Sequence, residues 1–307
     1  MILDNICVMM STYNGEKYLK EQLDSILNQE YVDVNLLIRD DGSTDTTVEI
    51  IESYQKKYFN ITLVKGRNEG VIDSFMDILF MAPNCSYYAF ADQDDVWDRD
   101  KLICGIRAIS ETNKDKCLYF CKKRIVDANL MGMGRNDVYV RDTSLGCALL
   151  NSIASGCTMV FDNSLMKILR MYRPENTRIS MHDAWIYRVA AAVGYVIYDD
   201  IPHMYYRQHG NNVEGAELTI VEHWKLRIRS LLNGAVARNS IRSDTAGELF
   251  RGYKDLLHGI NGKRVLDLSV ARKSYLARVR LVCSSYLKTQ KKWEIVFVKM
   301  FIALGWI

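Results

Sequence analysis

The chain has 307 residues, of which 49% are hydrophobic and 25% charged. That balance belongs to a globular protein and excludes a disordered, collagen-like or coiled-coil chain as the main state. The formal net charge of +3 implies no particular partner, and the length allows one large α/β domain or two smaller ones.

The charge is unevenly divided. Residues 217–307 carry 17 Lys and Arg against 7 Asp and Glu, whereas residues 1–216 carry 23 against 30. An acidic body with a basic tail points to contact between the tail and something anionic. No nucleic-acid motif accompanies the basic residues, so no nucleic-acid partner is expected. The eight cysteines form no CxxC pair and no zinc spacing, and read as structural thiols in a reducing compartment. The start, MILDNICVMM, carries Asp4 and no basic n-region, so it does not read as a signal peptide. No apolar run reaches the roughly 18 residues of a spanning helix.

In chain order, Ile6–Met10 is an apolar run that reads as a buried strand, followed by helical spacing over 16–29. Val34–Ile38 is a second strand, with a helix over 44–57; Ile61–Val64 is a third, with a helix over 71–81. Tyr87–Ala91 is a fourth strand, and a helix over 98–112 follows. Strands separated by helices of roughly 10–15 residues predict βαβ units and a parallel sheet. Further strands are expected at 117–127 and Ser155–Phe161, a loop at 130–143, a helix at 183–193, and β-like stretches at 194–199 and 203–207. Beyond Gly215 the chain turns basic, amphipathic and helical, over 217–233, 244–258 and 266–288. This divides it into an α/β region, 1–216, and a basic helical region, 217–307.

Polar clusters follow three of the strands, and in an open parallel sheet such carboxyl ends line the ligand crevice. The first is Ser11-Thr12-Tyr13-Asn14, which reads as a base-contacting loop or a helix-capping turn. The second is Asp40-Asp41-Gly42-Ser43, which reads as a ribose- or base-holding acid or an N-cap with a turn glycine. The third is Asp92-Gln93-Asp94-Asp95. Like charges so close raise one another's pKa, and hard Mg²⁺ or Mn²⁺ resolves the conflict through oxygen ligands. The alternative is an acidic loop capping the next helix through Asp98. No GxGxxG or Walker A sequence occurs.

Taken together, STYNGEKYLKEQLDSILNQ, DDGSTDTT and ADQDDVW with RDKL resemble the family 2 glycosyltransferases. Met181-His182-Asp183-Ala184-Trp185 and Tyr206–Val213 resemble that family's bacterial rhamnosyltransferase-like branch. The resemblance covers about residues 5–213. It implies a GT-A nucleotide-diphospho-sugar transferase fold, a mostly parallel central sheet flanked by helices, here with a helical C-terminal extension. By this resemblance Ser11, Tyr13 and Asp41 contact the nucleotide base, and Arg67 the base or phosphate. Asp92 and Asp94 form the DxD motif, and Asp94 or Asp95 binds Mg²⁺ or Mn²⁺ while its neighbour holds the ribose. Asp183 is the catalytic base, preceded by His182 where Glu is commoner, and His209 touches diphosphate or metal. Trp97 and Trp185 either border the sugar or pack in the core.

The implied activity is inverting, metal-dependent transfer of one sugar from a nucleotide-sugar donor, with dTDP-L-rhamnose the leading choice and UDP-hexoses open. The same resemblance implies a saccharide acceptor, polyprenyl-diphosphate-linked, in bacterial cell-surface polysaccharide biosynthesis. Competing readings are a sugar-nucleotide pyrophosphorylase and a non-catalytic sugar-nucleotide-binding scaffold. The expected location is cytoplasmic, peripheral on the inner face of the membrane. There the apolar Trp293–Ile307, preceded by Lys291 and Lys292, lies in the interface or packs on the catalytic region or a second subunit.

Overall fold

A computed structural model describes residues 4–134, 137, 139–209 and 241–307. The expected helix at 217–233 and the segment 210–213 lie outside the described residues.

The first half is a run of βα units. Strands β1 (Asp4–Thr12), β2 (Val32–Asp40), β3 (Ile61–Lys65) and β4 (Tyr87–Ala91) alternate with helices α1 (Leu19–Leu27), α2 (Thr47–Gln55) and α3 (Val71–Met81). All four strands are parallel, in the spatial order β3-β2-β1-β4. β1 is apolar on both faces because helices cover both. Its Cys7 and Met9 enter one core with α3, and its Ile6, Val8 and Met10 enter the other with α1 and α2.

The second half departs from a parallel sheet. It holds β5 (Val96–Trp97), α4 (Lys101–Glu111), β6 (Cys117–Val126), α5 (Leu145–Ala148), β7 (Met159–Asp162), α6 (Asn163–Leu169), α7 (His182–Val193) and β8 (Tyr195–Arg207). The full order is β3-β2-β1-β4-β7-β6-β8-β5. β7 runs antiparallel to both β4 and β6, β6 and β8 are parallel, and β5 is antiparallel to β8. The strand expected at 155–161 is therefore shorter: Gly156–Thr158 forms a 3₁₀ turn and pairing begins at Met159. The two β-like stretches at 194–207 are one strand, with register shifts against β6 around Lys122. Asp98 does not cap α4 through its side chain; it pairs with Arg124 at 2.6 Å.

This arrangement decides what meets at one edge. Met10 lies beside Ile38 on one side and Ala91 on the other, so β1, β2 and β4 end level. The carboxyl ends of β6 and β8 reach the same edge. Because β7 is reversed, its amino end reaches that edge too, bringing Ser155–Cys157 with it.

Among the described residues four helices follow: α8 (Ile241–Tyr253), α9 (Gly259–Val270), α10 (Tyr275–Val282) and α11 (Glu294–Leu304). The single helix expected over 266–288 is broken between α9 and α10, and residues 283–288 are not helical. Leu249, Tyr253, Leu268, Leu281 and Ile302 join the same core as Trp185 of α7. Trp185 and Tyr253 rings lie 6.0 Å apart. Trp97 is also a core residue, with Lys101 Nζ 3.6 Å from its ring centroid. Both tryptophans pack rather than border a sugar.

Glu248, fully buried on α8, fastens this layer. It accepts from Tyr172 Oη at 2.6 Å and the Glu175 amide at 3.2 Å, and pairs with Arg251 at 2.5 Å. Removing one partner of a buried charged network leaves the others unsatisfied. Glu248→Ala is expected to lower the unfolding free energy by about 3 kcal/mol in urea denaturation; a loss below about 1 kcal/mol would mean the network does not hold the layer.

Candidate active site

A cavity of about 450 Å³ opens at that sheet edge. Ser11, Tyr13, Asp41, Asp92, Asp94 and Asp183 all line it. The three polar loops that sequence reading expects to converge do converge.

Each loop is held by its own hydrogen bonds. Asp40, the first acid of its pair, organises the turn: it accepts from Thr12 Oγ1 and the Gly42 and Ser43 amides. That leaves Asp41 to face the cavity. Its carboxylate accepts from the Glu69 and Gly70 amides, each at 3.0 Å, and pairs with Arg39 at 2.5 Å. Gly70 takes φ 83°, which favours glycine, and starts α3 with its N–H turned to Asp41. Arg39 is buried and also meets Glu69 and Asp77. Arg67 points away: its side chain is 88% exposed and pairs with Glu69, while Asn68 lines the cavity instead.

Gln93, the middle residue of the DxD, clasps the β1 loop. Its Oε1 accepts from the Tyr13 amide at 2.9 Å, and its Nε2 donates to the Tyr13 carbonyl at 3.0 Å. Tyr13 is thereby fixed with its ring 45% exposed. Ser11 Oγ shares a 2.5 Å hydrogen bond with Ser74 of α3.

The carboxylates do not share one environment. Burial and then the Asp94 charge raise Asp92 to about 7. Asp94 meets His209 Nε2 at 2.8 Å, and His209 stacks on Tyr18. Asp95 is turned inward, off the cavity wall. Its Oδ1 accepts from the Arg207 amide at 3.1 Å, and burial raises its pKa well above the ordinary value. Among the described residues Asp95 Oδ2 is buried without a hydrogen-bond partner, near Asp92 and Cys157. An orphaned carboxylate oxygen beside a second carboxylate is a donor pair that fits a hard divalent cation. Lys123 on β6, whose Nζ meets Ser155 Oγ at 2.7 Å, tempers the charge on Asp92 and Asp183.

Asp183 sits in the first turn of α7 and on the cavity wall at once. Its Oδ2 accepts from the Gly156 amide at 2.9 Å and its Oδ1 from the Ala184 amide at 2.5 Å. Burial nevertheless raises its pKa, which makes it a better proton acceptor than an exposed aspartate. Gly156, Lys123 and Gln93 escaped sequence reading. The first two depend on strand direction, and Gln93 is the unspecified position of a short motif.

The family model described as glycosyl transferase family 2 matches residues 7–193. The dTDP-rhamnosyl transferase RfbG of Shigella flexneri is 31% identical over 231 residues, 70% of this chain and 77% of that protein. The poly(ribitol-phosphate) β-N-acetylglucosaminyltransferase TarS of Staphylococcus aureus is 26% identical over 176 residues, 56% of this chain but 30% of the longer relative. A crystal structure of TarS residues 1–349 with UDP-GlcNAc superposes with TM-score 0.59 at 20% identity, covering 92% of this chain and 76% of that one. A Pyrobaculum calidifontis mannosyltransferase in complex with GDP-Man and Mn²⁺ superposes with TM-score 0.52 at 15% identity, covering 100% and 86%.

The raised Asp92 gives a signed pH dependence. Its folded-state pKa of about 7 exceeds the ordinary 3.8, so its contribution to stability is present below about 4 and is lost as pH rises through 7. Metal-free Asp92→Asn is therefore expected to be more stable than the parent at pH 8, on the order of 2 kcal/mol, and no more stable at pH 4. Thermal melts at both pH values check this; an equal difference at both would contradict it.

Proposed function

This chain is a member of glycosyl transferase family 2 with a GT-A fold, and from that premise we propose that it moves one 6-deoxyhexose from a nucleotide-sugar donor to a saccharide acceptor. Members of the family are inverting glycosyltransferases, which sets the pyrophosphorylase reading aside. The observation that carries the reading is the meeting of Ser11, Tyr13, Asp41, Asp92, Asp94 and Asp183 around one cavity. A scaffold with no catalytic task would not need Asp183 buried on that wall.

The nucleoside lies along Tyr13, Ser11 and Asp41. Asp183 accepts the proton of the acceptor hydroxyl as its oxygen attacks the anomeric carbon, and the nucleoside diphosphate leaves from the opposite face. One displacement inverts the anomeric centre. Mg²⁺ or Mn²⁺, held by Asp94 with His209 or Asp95 beside it, would neutralise charge on the departing diphosphate. Arg67 has no part in this assignment.

The donor favoured is dTDP-L-rhamnose. The similarity to a dTDP-rhamnosyl transferase supports it. So does the apolar wall of Val71, Phe75 and Met181, which suits the methyl group of a 6-deoxy sugar. A UDP-hexose donor is the second reading, favoured by the likeness to an enzyme crystallised with UDP-GlcNAc.

The acceptor proposed is polyprenyl-diphosphate-linked, met at the inner face of the membrane. Among the described residues no helix is long and apolar enough to cross a membrane. α11 instead buries Ile302 while exposing Trp293, Val296, Met300 and Leu304 along one stripe, beside exposed Lys291 and Lys292. An apolar stripe flanked by basic residues suits the surface of an anionic leaflet.

Two outcomes follow. Asp183→Asn is expected to cut nucleoside diphosphate release from dTDP-L-rhamnose by about 10³-fold or more while retaining nucleotide affinity; activity within about tenfold of the parent would reject the base assignment. The double change Val296→Glu, Met300→Glu is expected to release the protein from phosphatidylglycerol vesicles in sedimentation without changing its melting temperature. Unchanged co-sedimentation would remove α11 as the contact.

A further inference from the structure

His182 is the unexplained group in this site. It precedes Asp183 at the start of α7 and lines the cavity, yet it is only 4% exposed. Among the described residues neither Nδ1 nor Nε2 has a hydrogen-bond partner. Leaving a buried polar group unpaired costs its desolvation, and a native structure accepts that where something else completes the pairing.

Its surroundings fix the ring rather than satisfy it. The imidazole stacks on Phe75 with centroids 4.0 Å apart and planes 13° from parallel, and meets Phe90 edge-on at 5.5 Å. Neither phenylalanine offers a conventional partner to the ring nitrogens. A Cβ at Gly156 would lie 3.0 Å from His182 Nε2, so any larger residue there would crowd that edge of the ring. Phe75 and Gly156 line the cavity with it, and the Gly156 amide donates to Asp183.

Resting on the glycosyl-transfer reading above, we propose that His182 is a specificity-determining residue whose buried, unpaired ring nitrogens hydrogen-bond hydroxyl groups of the transferred sugar. The choice of hydroxyl over phosphate follows from charge. Burial depresses the imidazole pKa to about 3, so at neutral pH it carries one N–H and one lone pair and no charge. Such a ring offers one donor and one acceptor, the pattern that complements a sugar hydroxyl, and no cation for a diphosphate. The same depression makes it a poor proton acceptor, which leaves the base role to Asp183. The choice of donor sugar over acceptor follows from place. His182 is buried against Phe75 of α3 and Phe90 of β4, a depth suited to the sugar seated first rather than to the acceptor that follows it.

The test uses the full chain with Mn²⁺ and a panel of dTDP-L-rhamnose, UDP-glucose, UDP-N-acetylglucosamine and GDP-mannose, then single-deoxy analogues of whichever donor turns over. His182→Phe keeps the stacking and removes both nitrogens. It is expected to lower kcat/KM for the intact donor by about 30- to 100-fold while dTDP or UDP affinity stays within twofold. Against the analogue lacking the read hydroxyl, parent and variant should differ by less than about threefold, a convergence that a merely structural role would not produce. A variant within threefold of the parent on the intact donor, or one equally impaired on every analogue, overturns the proposal. Should His182→Phe fail to fold, His182→Gln carries the test, because its amide keeps a donor and an acceptor. A changed ranking of the deoxy analogues supports the proposal, and an unchanged ranking overturns it. If the parent protein releases nucleoside diphosphate from no donor while still binding dTDP or UDP, the glycosyl-transfer reading itself fails and the proposal falls with it.

Discussion

Gathering carboxylates in a half-buried site is the constraint around which this molecule is arranged. Asp92, Asp94, Asp95 and Asp183 come from two distant stretches of chain and end at one edge of one sheet. Burial and their mutual repulsion push Asp92 to about 7 and Asp95 well above its ordinary value. The protein compensates only in part. Lys123 supplies positive charge, and Arg207 and Gly156 supply amides. What remains is an oxygen-rich pocket with an orphaned Asp95 oxygen, a set that a divalent cation and a diphosphate would complete together.

Strand direction makes the gathering possible. Parallel β1, β2 and β4 end level and deliver Ser11, Asp41 and Asp92. The reversal of β7 then lets its first residues, rather than its last, approach the same edge. Gly156 and Cys157 reach the carboxylates only for that reason. The loops are locked to one another, Gln93 to Tyr13 and Asp41 to the start of α3, so the chain's own hydrogen bonds hold this part of the cavity. Preorganised polar groups of this kind are favourable to catalysis because they need not be reordered during the reaction.

The first half of the fold was legible because its signals are local. Apolar runs of strand length alternate with helical spacing, and the structure places α3 and β4 on the expected residues. The loops of the site were legible for the same reason, since polar residues at strand ends have few structural uses. The second half was less so. Nothing in a four-residue apolar run tells whether it pairs parallel or antiparallel, so β7 read as one longer strand, and Lys123 and Gly156 went unnoticed. At Arg67 the backbone carries Asn68 to the cavity and the Arg67 side chain to solvent. The C-terminal helices misled through composition, because basic residues over 266–288 fit a helical period that the chain breaks between Val270 and Tyr275.

Those helices also show that core packing and an exposed apolar stripe need not exclude each other. α8 to α11 share a core with α7, and α11 still presents Val296 and Met300 outward. The opposed charges of the two regions thus have different settings: acids gathered at the sheet edge, bases spread over helices that pack behind it. The most direct measurement of the central claim is calorimetric titration of the chain with dTDP and UDP, with and without Mn²⁺. The account predicts at least about tenfold tighter binding with Mn²⁺, and loss of that gain in Asp94→Ala. Equal affinity under both conditions, in the parent and the variant alike, would contradict it.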